Sequence, residues 1–436
     1  LNASSALVSD TVRVELPITN GIAPELHAQA GSVPVPIELV VTPLPTDTVA
    51  VFRVGVSNLP AFSWRTLDLF PGSVPAGPIQ AQLQLIDAKG DAATGNAVTR
   101  VILSNAHVRA EWRKAGRFAL TSLVIDGAEA MATSSFLHHD YADTGGLWRT
   151  GNEMPGCDLT PEDPTPEDET VEVDEATPLA ARVRFVSASA TREASLGAGA
   201  TGLTLAITTG AAEATTRTVG FSFAVPPDSR LRTSLAAGYV ERPLEAIYTP
   251  TFWPAVEWAS IGTWAVLLRQ STGVRMSSTG EVELMAARDA RGEKCDVLGG
   301  IGSDPGTHRI EWRIERAATP TDAARAAQAF NRPLVLQAIT DARGSEAELP
   351  GEQRLLSFEG DGIVSAIKPA SRGDGVIVRA LLSGSAVTLH FDGALHPSSG
   401  ATVDLAERAR GPLAPFGTSL ALDRDGSGSL VSVRLR

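Results

Sequence analysis

The residues best suited to chemistry lie between positions 136 and 156. His138, His139 and Asp140 are consecutive there, and the segment continues with further aromatic and charged residues around a pair of glycines. Alternate side chains of an extended segment point to opposite faces, so we expect His138 and Asp140 to share a face and His139 to point away. Two such groups make neither a metal site nor a catalytic site without partners from elsewhere. Local hydrogen bonding is therefore the simpler interpretation.

Other signatures of catalysis are missing from the sequence. No serine lies in a Gly-x-Ser-x-Gly elbow, and no calcium-loop spacing is present. Arg149 and Arg288 have acidic or aromatic neighbours in sequence and could hold a hydroxyl or a carboxylate. A structural ion pair is the simpler interpretation for any single arginine. We therefore assign no catalytic residue and no metal ligand.

Two cysteines, Cys157 and Cys295, are far apart in the sequence. They form neither a disulfide framework nor a zinc pattern. We expect two buried thiols, with one long-range bridge as the alternative. The acidic, proline-containing residues 161–175 are expected to be a solvated loop or a sheet edge rather than a metal site.

Composition limits the partners of the chain. Of its 436 residues 43% are hydrophobic and 20% are charged, which is typical of a globular protein. The net charge of −13 disfavours nucleic acid and anionic membrane surfaces and leaves a neutral sugar open. No signal peptide or membrane span is visible, so we expect a cytoplasmic location. Because the first residue is leucine, we also expect a piece of a longer protein.

Short runs with period-two alternation, separated by turn residues, predict an all-β protein. We expect a small β-sandwich over 1–98, a larger β unit over 99–345 and a final small β domain over 346–436. One helix is predicted over 319–330, with Thr321 as its N-cap. The aromatic cluster at 248–258 could stack on sugars, but core packing is the simpler interpretation.

Several stretches, taken in order, resemble the C-terminal β-rich half of glycoside hydrolase family 38, the α-mannosidases. Two of them are Phe252-Trp-Pro254 and Ala327-Gln-Ala-Phe-Asn-Arg-Pro-Leu334. The full series comprises residues 1–17, 103–123, 252–254, 280–288, 327–334, 366–369 with 375–379, and 401–408. The series spans nearly the whole chain in the order of the family.

The resemblance implies a small β-sandwich, a large mutarotase-like supersandwich and a small terminal β domain. It also implies that this chain is the non-catalytic part of a retaining α-mannosidase. In that family the zinc site, the nucleophile and the general acid lie in an N-terminal barrel. We therefore expect no cofactor in this chain, zinc only in the absent barrel, and no hydrolysis by the chain alone. Its partners would be an α-mannoside or related glycan and its own catalytic domain.

The same resemblance implies substrate-binding residues. Arg288 matches an arginine that reaches toward the active site at the end of a family strand. Residues 144–149 resemble a turn that supplies a tyrosine to the sugar site. Leu147 stands at the position of that tyrosine, so we expect Trp148 or Tyr141 to replace it, with Arg149 beside them.

Two other function classes stay open. A stand-alone mutarotase-like isomerase or lyase would need His139 and Glu153 to converge in a sheet groove. A carbohydrate-binding module would need only a binding face. A homo-oligomer is compatible with every one of these functions.

Overall fold

The computed structural model describes residues 1–436 except positions 20, 73–79, 146–148, 154, 164–166, 227, 245, 247, 290–305, 337–350, 372 and 425–429. The described chain divides into two compact units. Unit 1 comprises residues 1–79, 236–238 and 319–436, and unit 2 comprises residues 80–235 and 239–318.

Unit 1 begins with seven described strands. They are β1 (Val8–Pro17), β2 (Leu26–Ala30), β3 (Val33–Val35), β4 (Ile37–Leu39), β5 (Val49–Leu59), β6 (Ser63–Arg65) and β7 (Asp68–Pro71).

Unit 2 follows with strands β8 to β27 and two short 3-10 helices, Gly95–Ala97 and Gly151–Glu153. The strands are β8 (Gln82–Ile86), β9 (Arg100–Ser104), β10 (Val108–Ala115), β11 (Arg117–Ile125), β12 (Ala128–Glu129), β13 (Leu137–Asp143), β14 (Leu159–Pro161), β15 (Thr170–Ala176), β16 (Ala180–Val186), β17 (Ala190–Gly197), β18 (Leu203–Thr209), β19 (Thr215–Ser222), β20 (Leu231–Leu235), β21 (Gly238–Arg242), β22 (Trp253–Ala255), β23 (Trp258–Ile261), β24 (Trp264–Leu268), β25 (Thr272–Met276), β26 (Glu281–Asp289) and β27 (His308–Arg316).

Unit 1 resumes with one α-helix and seven further described strands. They are α1 (Pro320–Asn331), β28 (Glu352–Arg354), β29 (Ser357–Pro369), β30 (Val376–His390), β31 (Ser399–Thr402), β32 (Ala414–Pro415), β33 (Ser419–Asp423) and β34 (Leu430–Leu435). The prediction of an all-β protein with a single short helix is confirmed.

Three sheets of unit 2 share one apolar core. Their strand orders are β12-β11-β10-β9-β8, β14-β13-β19-β26-β25-β22 and β15-β16-β17-β18-β27-β24-β23-β20-β21. Trp312 packs edge-on against Phe136 and Phe221 at the centre, with ring centroids 6.0 and 5.9 Å apart. Trp258 and Trp264 are buried, which agrees with core packing for that part of the aromatic cluster.

Two apolar cores of unit 1 are formed by residues that the structure describes. One lies among the N-terminal strands, around Phe52 and Val54. The other lies in the sheet β29-β30-β34-β31-β32 and includes Val378 and Leu389. The division into three domains stays a prediction. In the two compact units, β8 pairs with β9 inside unit 2, and the helix belongs to unit 1.

The N-cap of the helix lies two residues earlier than predicted. Thr319, not Thr321, is the N-cap, and it forms a capping box with Asp322. Pro320 fits the first helical position because no N–H is needed there. Thr321 is buried and donates to Asp361. In the next turns Gln328 accepts from Ser5 N at 2.6 Å and donates to Val364 O at 2.9 Å, so the helix is held within unit 1.

The acidic residues 161–175 include one, Glu169, that the charge pattern does not distinguish from its exposed neighbours. β15 is an edge strand of the nine-stranded sheet, as expected for part of this stretch. Glu169, however, is fully buried and pairs with the equally buried Arg192 at 2.6 Å. Arg192 also donates to Phe118 O and Phe136 O, so the pair is hydrogen-bonded throughout.

The state of Cys157 differs from the expected one. Cys157 is disulfide-bonded, so the expectation of two buried thiols is wrong for this residue, and Cys295 lies outside the described residues. In the described part of the chain, no helix combines the length and the apolar character that a membrane crossing requires.

Candidate functional site

The six-stranded sheet of unit 2 has an apolar side and a polar side. On β26, Val282 and Leu284 are buried in the core, so the intervening Glu283 faces the opposite side. On β25, Val274 is buried in the same core and Arg275 follows it. We call this opposite side the polar face, defined by His139, Tyr141, Asp143, Arg275, Glu283 and Arg288.

Asp143 is the anchor of the polar face. Its side chain is fully buried at the end of β13. One carboxylate oxygen accepts from Gly145 N at 3.0 Å and Gly151 N at 2.9 Å. The other accepts from Thr216 Oγ1 at 2.6 Å and Arg288 Nε at 2.7 Å. A buried carboxylate is stable only when its oxygens are satisfied, and here four donors satisfy them.

The electrostatics of Asp143 follow from these contacts. Burial alone would raise the pKa of its carboxyl, but the hydrogen bond and charge of Arg288 and the bond from Thr216 outweigh burial and lower it. Asp143 is therefore ionised at neutral pH, and Arg288 is its counter-charge.

Arg288 also fixes the loop that follows β13. Its guanidinium donates to the Arg149 carbonyl at 2.9 Å while it holds Asp143. The Arg288 side chain is 19% exposed to solvent, so it reaches solvent from a fixed position. The structure thus brings the sequence-predicted Arg288 and Arg149 together, but through the Arg149 backbone. The Arg149 side chain makes no hydrogen bond or ion pair with any described residue, and Trp148 lies outside the described residues.

Tyr141 occupies the centre of a hydrogen-bonded triad. Its hydroxyl donates to Glu283 Oε2 at 2.8 Å and accepts from an Arg275 amino group at 2.7 Å. The ring of Phe252 meets the tyrosine edge-on, with centroids 6.3 Å apart. Burial and the Glu283 charge raise the pKa of the Tyr141 phenol far above its usual value, so the phenol stays protonated. Arg275 uses only one amino group in these bonds.

The two adjacent histidines have different environments, as the alternation predicts. His138 is buried beside Arg117, Ser189 and Glu167, and burial together with nearby arginines lowers its pKa to about 3. His139 lies next to Gly220, where a side-chain carbon would stand 3.4 Å from its ring.

Burial lowers the pKa of His139 as well, against the opposing charge of Glu283, so its imidazole is neutral at pH 7. No hydrogen bond joins His139 to Glu153 in the described structure. The acid–base pair that an isomerase needs is therefore not assembled from these two residues. Within the described residues, no group of three or more histidine, cysteine, aspartate or glutamate side chains is arranged to hold a metal ion.

Sequence reasoning missed Glu283 and Arg275. Strand alternation in Glu281-Val-Glu-Leu284 could have indicated that Glu283 faces away from the core. The contacts of Glu283 and Arg275 with Tyr141 could not be predicted from the sequence. Strands β13 and β25 are not neighbours in the sheet, and β19 and β26 lie between them and set their registers.

Comparison with solved structures identifies the fold. The chain matches an α-mannosidase from Enterococcus faecalis V583 over its full length and 55% of that protein, with a TM-score of 0.72 and 12% identity. It also matches a glycosyl hydrolase family 38 protein from Enterococcus faecalis, over its full length and 57% of that protein, with a TM-score of 0.69 and 12% identity.

No family profile matches the sequence, and no curated protein matches it. The chain therefore spans a little over half the length of the two structures and shares their fold over that part.

Replacing Arg288 tests whether it is the counter-charge of Asp143. Arg288→Gln leaves a fully buried carboxylate without a cation, and we expect a loss of about 3 kcal/mol in the free energy of unfolding. Chemical denaturation at pH 7 measures it. The matched control is Arg232→Gln, which removes a surface pair with Glu241 (side chains 30% and 43% exposed) and should cost less than about 1 kcal/mol. Equal losses would contradict the assignment.

The same variant should change acid stability. Because the pKa of Asp143 is depressed in the folded protein, its stabilisation is present above the unfolded value of 3.8 and is lost as the pH falls through the folded value. Without Arg288 the folded pKa rises, so stabilisation is lost at higher pH. We expect the acid-unfolding midpoint of Arg288→Gln, followed by circular dichroism, to move upward relative to that of Arg232→Gln.

Proposed function

We propose that this chain is the non-catalytic β region of a retaining α-mannosidase-like glycoside hydrolase, and that its polar face completes the sugar site of a separate catalytic barrel. The observation that carries the proposal is the full-length match to just over half of two α-mannosidase-fold proteins. The ordered series of family-like stretches supports it from the sequence. Zinc belongs to the barrel in this proposal, and no residue of the chain is proposed to bind it.

The polar face has the groups that recognise sugar hydroxyls. Arg288 is held at a fixed position by Asp143 and keeps part of its side chain in solvent. Tyr141, Glu283 and Arg275 form a neighbouring triad in which Arg275 and Glu283 are 19% and 14% exposed. Side chains that are locked by their own hydrogen bonds lose little entropy when a ligand binds. In this proposal Arg288 positions a hydroxyl, and the triad supplies donors and acceptors beside it.

The location of the protein is also a proposal. The sequence favours the cytoplasm, but disulfides persist in oxidising compartments and are rare in the cytosol. The disulfide of Cys157 therefore weighs against the cytoplasmic expectation. A homo-oligomer stays a proposal without a specific contact to support it.

A hydrolysis assay tests the non-catalytic role. The purified chain, incubated with an aryl α-mannoside and zinc, should release the aryl group no faster than a heat-denatured sample. The reason is that the nucleophile and the general acid are expected in the barrel. Turnover well above the denatured control would refute the proposal.

A carbohydrate-binding module is the second candidate, favoured by the Arg275 donors that no described residue uses. Ligand sites usually enclose about 70–90% of a small ligand, and the polar face alone supplies one side. We therefore expect no saturable binding of methyl α-mannoside to the isolated chain in a calorimetric titration. Saturable binding that Arg275→Gln weakens and Arg232→Gln leaves intact would favour the module instead.

A further inference from the structure

A groove of about 420 Å³ lies at one end of the five-stranded sheet of unit 2. The turn after β8, the beginning of β9 and the end of β10 form its walls. Its charged lining consists of Asp87, Lys89, Arg100, Arg113 and Lys114. Four cations and one carboxylate in a single groove contrast with the net charge of −13 of the whole chain.

Two of these cations oppose each other in the sheet. Arg100 of β9 and Arg113 of β10 are direct cross-strand partners. Like charges in such positions repel and destabilise the pairing unless a counter-charge lies between them. The carboxylate of Glu111 ion-pairs with both arginines.

Glu111 supplies only part of the compensation. Its buried carboxylate is shared by Arg100, Arg109 and Arg113 at 2.8, 2.7 and 2.8 Å. Burial opposes its ionisation, but the three arginine hydrogen bonds lower its pKa to about 2. One negative charge thus faces three positive charges, and the excess is positive.

Of the lysines, Lys89 adds to this excess, whereas Lys114 is ion-paired. The sequence contains four lysines, at 89, 114, 294 and 368, and two of them line the groove. Lys114 bonds to the Glu169 carbonyl and to exposed Asp168. The Lys89 ammonium makes no hydrogen bond or ion pair with a described residue.

Asp87, the acidic residue in the groove, forms no ion pair with the Lys89 ammonium. The Asp87 carboxylate accepts the backbone N–H groups of Lys89 and Asp91 at 2.7 and 3.0 Å. These bonds shape the turn and hold the carboxylate against the backbone.

We propose that this groove binds a tetrahedral oxyanion, the phosphate or sulfate group of an ester. Arginine forks match the paired oxygens of such groups, and lysine provides a point charge beside them. The volume exceeds that of one oxyanion and lies in the range of small-molecule sites. The site belongs to unit 2 and is independent of the polar face, so its failure would leave the proposed function untouched.

The probes are inorganic phosphate and sulfate, titrated into the full chain by calorimetry at low salt, with methyl α-mannoside as the neutral comparison. We expect saturable binding of at least one oxyanion in the millimolar range, weakened by added sodium chloride because salt screens exposed charges. A phosphate monoester gains its second charge near pH 6 and inorganic phosphate does so at a somewhat higher pH, whereas sulfate gains no charge in this range. A rise in phosphate affinity between pH 5.5 and 7.5, with sulfate unchanged, would identify a phosphate ester as the better ligand, and no rise would identify a sulfate ester.

The variant Lys89→Gln/Arg113→Gln should weaken oxyanion binding at least fivefold, because it removes two groove cations and leaves Arg100 and Arg109 on Glu111. The control is Arg184→Gln, which removes an arginine of β16 that pairs with Glu172 and Asp174 of β15. This variant should bind the oxyanion as tightly as the unaltered chain does. Thermal midpoints without anion show that both variants fold. Absence of saturable binding, or equal binding by the groove variant and the control, would overturn the proposal.

Discussion

Complete burial of one carboxylate constrains the candidate site. Asp143 ends β13 without solvent exposure, and its four donors come from the following loop, from β19 and from β26. Since an unsatisfied buried charge costs several kcal/mol, these elements must stay together for the unit to fold. Arg288 is consequently both a counter-charge and a fixed surface group.

Strand alternation explains why the polar face lies next to a large apolar core. Strands β19, β25 and β26 of the six-stranded sheet direct alternate residues into the apolar core that contains Trp312, and the residues between them face the opposite side. That opposite side carries charged and hydrogen-bonding side chains. They are partly buried and paired with one another, as in the contact of Tyr141 with Glu283 and Arg275. A face of prearranged polar groups suits contact with a hydrophilic ligand and a second domain.

Local patterns in the sequence predicted the fold class well. Period-two runs identified the strands, and the alanine-rich segment before Pro333 identified the helix. Contacts between segments that are distant in the sequence could not be predicted from these local patterns. Glu169 lies within an acidic run, and only its pairing with Arg192, 23 residues away, explains its burial. Glu283 and Arg275 likewise gain their role from Tyr141. The helix belongs to unit 1 because Gln328 bonds to Ser5 and Val364, which no local pattern encodes.

Some family-like stretches have structural roles. Lys368, in the stretch 366–369, pairs with Glu407, in the stretch 401–408, and Glu407 also accepts from Ser371 N at 2.6 Å. Glu407 is buried and has a φ of 63°, an uncommon conformation for a residue with a side chain. The resemblance at these two stretches is thus explained by the folding of the terminal β region. The similarity at these two stretches therefore reports on the fold and not on catalytic or binding residues.

The central claim is that this chain works as one part of a larger α-mannosidase-like protein. Sequencing the coding region that precedes the codon for Leu1 tests it most directly. We expect the reading frame to continue upstream and to encode an α/β barrel with a zinc-ligand set and an aspartate nucleophile. A start codon immediately before Leu1, with no such barrel in the same frame, would contradict it.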